Sequence, residues 1–141
     1  MPGQIARYKK KISGPLLDRI DIHLDVPFVE VEKLTGQEVP EDSKTIKKRV
    51  EKARKIQIKR FKGSKMLTNS EMRSTQIKQF CQITREALEL LKMAISQMNL
   101  SARGYHRVLK LSRTIADLSD SENISSEHIA EALTYRAREE N

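Results

Sequence analysis

Between Thr84 and Leu133 apolar residues recur at three- and four-residue steps in three consecutive runs. That periodicity constrains the fold more than any other feature of the chain. In the first run Ala87, Leu88, Leu91, Ala94, Ile95 and Met98 share a stripe behind a Thr84 cap, and Leu100 ends it. The second opens at Ser101 and turns Tyr105, Val108, Leu109, Ser112, Ile115 and Ala116 inward until Ser119-Asp120-Ser121 breaks it. The third starts at Ser125 or Ser126, with Glu127 in its first turn and Ile129, Ala132 and Leu133 inward. No stripe can be buried alone, so a small helical bundle is expected over about 69–137, in a domain drawn as 69–141.

Upstream the signals change. Pro2 to Ile12 reads as a short basic helix with Ile5, Tyr8 and Ile12 on one side, broken by Ser13-Gly14-Pro15. Ile20, Ile22, Leu24 and Val26 then alternate with Asp21, His23 and Asp25, the pattern of a half-buried strand ended by Pro27. A lone strand is not stable, so it must pair with a weak neighbour or belong to a sheet outside this chain. Asp21, His23 and Asp25 on one face have the spacing to touch a cation. Alternating polarity is equally what any solvent-facing strand shows, and no metal site is assigned. Phe28 to Asp42, containing Gly36 and Pro40, reads as a linker or loop, which closes a first unit at 1–40.

The 41–68 stretch is dominated by charge. Lys44 to Lys65 holds eleven Lys or Arg against one acid, Glu51. Ser43 is a plausible N-cap, and Ile46, Val50, Ala53 and Phe61 form a thin apolar seam. One reading is contact with a nucleic-acid backbone through Lys47, Lys48, Lys52, Arg54, Lys55 and Lys59, which needs no base-specific groups. The other is a solvated helix packed on one seam. Gly63-Ser64 marks a break, Asn69-Ser70 a capping signal before Glu71, and Thr75 to Phe80 another short helix. Cys81 reads as a small core residue rather than a nucleophile.

The whole chain of 141 residues carries a formal charge of +8, which favours nucleic acid, nucleotide phosphates or acidic lipid as partners. Three Tyr, three Phe and no Trp argue against a base-stacking platform. A single cysteine fits a reducing cytoplasm, and no apolar run approaches membrane length. The phosphate-cradling G-x-x-x-x-G-K-[ST] is missing, as are an apolar run ending in Asp-Glu, H-E-x-x-H and G-x-S-x-G. Alone, therefore, the chain is expected to be inactive as an enzyme. Yet Arg103, Arg107 and Lys110 share a stripe on the second bundle helix, and two of them lie in its first two turns. Cations there oppose the helix dipole. The conflict eases if an anion binds at that end, or if the arginines are solvated or paired with carboxylates of a neighbouring helix.

Several blocks taken together resemble a known family. Tyr8-x3-Ile12-Ser13-Gly14-Pro15-Leu16-Leu17-Asp18-Arg19-Ile20-Asp21-Ile22, Ser101-Ala102-Arg103-Gly104-Tyr105, Arg113-Thr114-Ile115-Ala116-Asp117-Leu118 and Glu127-His128-Ile129-Ala130-Glu131-Ala132-Leu133-x-Tyr135-Arg136 stand in this order. They are similar to the C-terminal part of the magnesium-chelatase-related AAA+ ATPases, the ComM/YifB family. The resemblance implies a mainly α chain. The end of an αβ core (1–40) would supply one strand, followed by a basic connector helix (41–68) and the helical lid (69–141). It implies Arg19 as an arginine finger reaching the nucleotide of a neighbouring subunit. It makes Arg103 the sensor 2 arginine of the lid, whereas no family role carries over to Arg107, which stays a candidate nucleotide contact on helical spacing alone. ATP and Mg²⁺ are implied for the full-length parent, and none bound tightly by this chain. The implied partners are the upstream core of the same protein, neighbouring subunits of a homo-oligomer (a hexamer in this family) and DNA, with branch migration as the coupled work. A chelatase motor subunit, a stand-alone nucleic-acid-binding helical module and a non-enzymatic interaction module are the alternatives.

Overall fold

The computed structural model describes residues 19–28 and 40–136. Among them run helix α1 (Ser43–Arg60), a 3-10 turn (Asn69–Glu71), and helices α2 (Ser74–Phe80), α3 (Arg85–Gln97), α4 (Ala102–Leu118) and α5 (Ser126–Thr134). The three striped runs are α3, α4 and α5, and the expected helical bundle forms from them.

The helices start where a side chain can accept the N–H groups that a first turn leaves open. Thr84 Oγ1 takes Ala87 N at 3.3 Å, and Ser101 Oγ takes Gly104 N at 3.0 Å. α1 is capped by Asp42, whose Oδ1 accepts from Thr45 N at 2.8 Å; Ser43 is its first helical residue instead. A carboxylate suits that end of the helix dipole better than a hydroxyl. Hydrogen bonds from the Thr45 side chain and backbone hold its pKa below the ordinary value. At α5 His128 Nδ1 reaches back to accept from Ser125 N at 3.1 Å, so Ser125 is the cap. Asn69-Ser70 does not serve as a cap. Thr68 precedes the 3-10 turn, and Glu71 Oε2 folds back onto Leu67 N and Thr68 N at 2.6 and 2.9 Å. α3 and α4 are each followed by a residue in left-handed conformation, Asn99 at φ 46° and Asp120 at φ 58°.

α4 is the central element and touches α1, the 3-10 turn, α2 and α5. Its stripe buries Val108, Leu109, Ser112, Ile115 and Ala116, with Tyr105 half-buried at the edge. α3 buries Ala87, Leu91 and Ala94, while Leu88 and Met98 stay exposed, because its neighbour α5 is nine residues long and cannot cover so wide a stripe. Phe61 at the end of α1 meets Phe80 of α2 edge to face with ring centres 5.5 Å apart. Ile83 and Ile124 form an isolated parallel bridge, with Thr84 N on Ile124 O at 3.0 Å and Ile124 N on Gln82 O at 2.8 Å.

The last turns of α1 belong to this core. Ala53, Gln57 and Phe61 are buried, whereas Ile46 and Val50, assigned to the same seam, are exposed because α4 faces only the second half of α1. The two helices are joined by a buried carboxylate. Asp117 accepts Arg60 Nη2 and Nη1 at 2.5 and 2.7 Å, Arg113 Nε at 3.1 Å and Asn69 Nδ2 at 2.8 Å. Arg113 sends its remaining N–H groups to the carbonyls of Glu122 and Ser121 at 2.6 and 2.5 Å. Burial lowers its pKa while Asp117 opposes the shift.

The strand expected over 20–26 does not form. Residues 20–28 run without strand pairing, and Ile20, Ile22, Leu24 and Val26 are all exposed. Alternation creates an apolar face, but a strand also needs a neighbour's N–H and C=O groups. Among the described residues only His23 N finds a backbone partner there, Tyr135 O at 2.7 Å. Nor are Asp21, His23 and Asp25 gathered into a metal-holding group. The short helix over 2–12 and the linker residues 29–39 lie outside the described residues. No helix among those described is long and apolar enough to cross a membrane.

Asp117→Ala should destabilise the bundle by about 3–5 kcal/mol, since it strands two guanidiniums in the interior. Lys52→Ala removes only the exposed pair with Asp120, whose side chains are 62% and 60% exposed, and should cost at most about 1 kcal/mol. Urea unfolding of the two variants beside the parent chain checks the contrast.

Candidate functional site

Residues four, seven and eleven positions apart on a helix fall on one face. On α4 this face carries Arg103, Arg107, Lys110 and Thr114, and it lines a cavity of about 710 Å³. Arg19, Asp21 and Ile22 close the opposite side, and Ser70 of the 3-10 turn completes the rim. The structure therefore brings Arg19, Arg103 and Arg107 to one place, although Arg19 lies far from the other two in sequence.

The four cations differ in their surroundings. Arg103 is exposed in the first turn of α4, which contains no acidic residue. Arg107 is half-buried; its Nε pairs with Asp21 Oδ1 at 3.1 Å and its Nη1 donates to Ile20 O at 3.4 Å. Lys110 Nζ donates to Ser70 O at 2.8 Å. Arg19 is exposed at the mouth. Among the described residues that line the cavity, one carboxylate, Asp21, stands with these four cations, so the described wall is mostly basic. Such a donor set suits phosphate oxygens, which guanidinium forks and helix N-termini both bind well.

Gly104 lies on the other side of the same first turn. A Cβ there would stand 2.5 Å from Arg136 Nη1, so a larger residue would require the end of the Arg136 side chain to move away from the start of α4. Sequence spacing had singled out neither this contact nor Asp21 as a partner of Arg107. The signals available were the Ser-Ala-Arg-Gly block itself and the polar position directly after Ile20.

The basic helix presents a second feature. Lys48, Lys52, Lys55 and Lys59 follow steps of four, three and four on α1, opposite Ala53 and Gln57, and all four are exposed. The row spans about 17 Å at 1.5 Å per residue. Lys52 pairs with Asp120 at 2.8 Å, whereas Lys48, Lys55 and Lys59 have no ion pair among the described residues. Lys47 lies off the row with Glu51 at 3.8 Å, and Arg54 lines a separate cavity of about 430 Å³ between α1, the 3-10 turn and α4.

Cys81 is buried, and its environment is that of a core residue. Burial pushes its thiol up to about 11. Thiolate is then roughly one part in 10³ at pH 8 and grows about tenfold per pH unit, so alkylation by iodoacetamide should be slow and rise with pH. Mass spectrometry of the labelled chain should show fast modification at pH 8 only after unfolding.

The family described as magnesium chelatase, subunit ChlI C-terminal, matches residues 40–136, and that described as magnesium chelatase, subunit ChlI, matches residues 1–34. The chain is 41% identical over 138 residues to the competence protein ComM of Haemophilus influenzae, and 40% identical over 137 residues to the protein YifB of Escherichia coli. The YifB protein of Salmonella typhimurium is 35% identical over 137 residues. Each alignment covers 96% of this chain but 26% of the relative, so the chain spans about a quarter of the length of these curated relatives.

Proposed function

Because the chain belongs to the magnesium-chelatase-related family that includes ComM and YifB, we propose that it is the part of an oligomeric AAA+ ATPase that brings two arginines to a bound ATP. Arg19 is the arginine finger and Arg103 the sensor 2 arginine. The observation that carries this reading is their convergence on one cavity of about 710 Å³, whose described lining also holds Arg107 and Lys110. That volume falls within the ordinary range of small-molecule sites.

ATP is the substrate, and its phosphates fit the guanidinium and N-terminal N–H groups at the start of α4. Arg19 crosses a subunit boundary to place a cation where negative charge develops on the transferring phosphoryl group. Arg103 senses the same phosphates from the lid, and the lid position follows the nucleotide state. Mg²⁺, when bound, would neutralise negative charge on the phosphates. Among the described residues no group of three or more His, Cys, Asp or Glu is assembled to hold it, and its ligands and the phosphate loop are assigned to the remainder of the ATPase. The work coupled to hydrolysis is remodelling of DNA by a ring of subunits.

In the full-length ATPase, Arg19→Ala should leave ATP affinity nearly intact and lower turnover by roughly 10³-fold, the scale of arginine fingers. Arg103→Ala should weaken the coupling of lid to nucleotide, and lysine should rescue neither position because it lacks the planar fork. Steady-state hydrolysis and nucleotide titration read both. Mixing Arg19→Ala subunits with subunits disabled in nucleotide binding should restore some hydrolysis, and full turnover by Arg19→Ala alone would sink the assignment.

The lysine row on α1 favours a second interaction, with the phosphate backbone of duplex DNA and without base preference. Its support is geometric: four exposed lysines on one face, three without an ion pair among the described residues. The triple variant Lys48→Glu, Lys55→Glu, Lys59→Glu should strongly weaken binding to a random duplex. For every phosphate that a lysine no longer neutralises, the slope of log K against log salt should flatten by about 0.9. Unchanged affinity in fluorescence anisotropy would make the row a solvated face.

A further inference from the structure

We propose that Arg107 is a positioning residue that ties the Arg19 segment to α4, and not a ligand of the nucleotide. Its catalytic consequence rests on the role of Arg19 proposed above; the tie itself does not. Two of its guanidinium nitrogens are already committed, Nε to Asp21 Oδ1 at 3.1 Å and Nη1 to Ile20 O at 3.4 Å. These partners are the two residues that directly follow Arg19.

Packing does little to fix the segment from Ile20 to Val26. It forms no strand, and its apolar side chains are exposed. Among the described residues its backbone has one further tie, His23 N to Tyr135 O at 2.7 Å, at the end of α5. The chain from Ile20 to His23 is thus pinned at two points, one on α4 and one on α5, and Ile22 between them lines the cavity. Asp21 is the sole acidic residue on the cavity wall among the described residues, and its charge is spent on Arg107. Arg107 lines the cavity, yet its side chain is only 21% exposed, against 62% for Asp21, so much of its surface is already covered. A phosphate ligand would keep its fork turned to the opening. Through this clasp any shift of α4 carries Arg19 with it, so that the lid helix and the finger travel together.

Amide hydrogen exchange on the 141-residue chain tests the tie without any activity. Arg107→Gln and Asp21→Asn should each speed exchange of the His23 amide by about 2- to 5-fold, the range for a partly exposed ion pair. The amides of Val108 to Ile115 should not change. The reversed pair, Asp21→Arg with Arg107→Asp, should restore the slow exchange of His23. In the full-length ATPase, Arg107→Gln should lower kcat at a nearly unchanged KM for ATP, and the reversed pair should recover part of that loss. Unaltered His23 exchange together with a raised KM would overturn the proposal and make Arg107 a nucleotide ligand. Should Arg19→Ala prove fully active, the catalytic role of the finger fails, while the exchange data still judge the tie.

Discussion

The carboxylate of Asp117 is the point on which the bundle depends. It is almost fully buried and holds two arginines and an asparagine drawn from α1, the 3-10 turn and α4 itself. Two guanidiniums around one carboxylate leave a positive excess in the interior, which is costly unless every N–H is satisfied. Arg113 meets that condition through the carbonyls of Ser121 and Glu122, so the loop leaving α4 is fixed by the same group. The helices that build the cavity are therefore located by a polar centre as much as by their apolar stripes, and no buried side-chain nitrogen or oxygen among the described residues lacks a partner.

Periodicity made α3, α4 and α5 legible because each has a cap residue and an apolar stripe, two local signals that agree. Arg113 and Asp117 were not legible as core residues. Charged groups are normally read as surface, and the partner that justifies burying them, Arg60, lies 57 positions from Asp117. The seam of α1 was read too far toward its N-terminus for a similar reason, since Gln57 is buried against Asn69 N while Ile46 is exposed. The strand over 20–26 shows the opposite failure. Its local pattern was clear, but pattern alone cannot supply the neighbouring strand on which pairing depends.

The cavity was half visible. Arg103, Arg107 and Lys110 were grouped by helical spacing, and the electrostatic conflict at the start of α4 called either for an anion or for solvation or carboxylate pairing of the arginines. Arg19 entered only through family resemblance, because nothing in its local sequence says that it returns to α4. The pairing of Arg107 with Asp21 needed coordinates as well; spacing could group the arginine with Arg103 but could not reveal which groups its fork already serves.

One consequence follows from how α1 grips α4. The contacts from Arg60 to Asp117 and from Lys52 to Asp120 both fall at the C-terminal end of α4, while Arg103 stands at the other end, about 21 Å away along a 17-residue helix. An unbroken helix of that length transmits tilt with little bending. A tilt of α4 about its cavity end would therefore displace the end that holds α1, and with it the lysine row, further than it displaces Arg103.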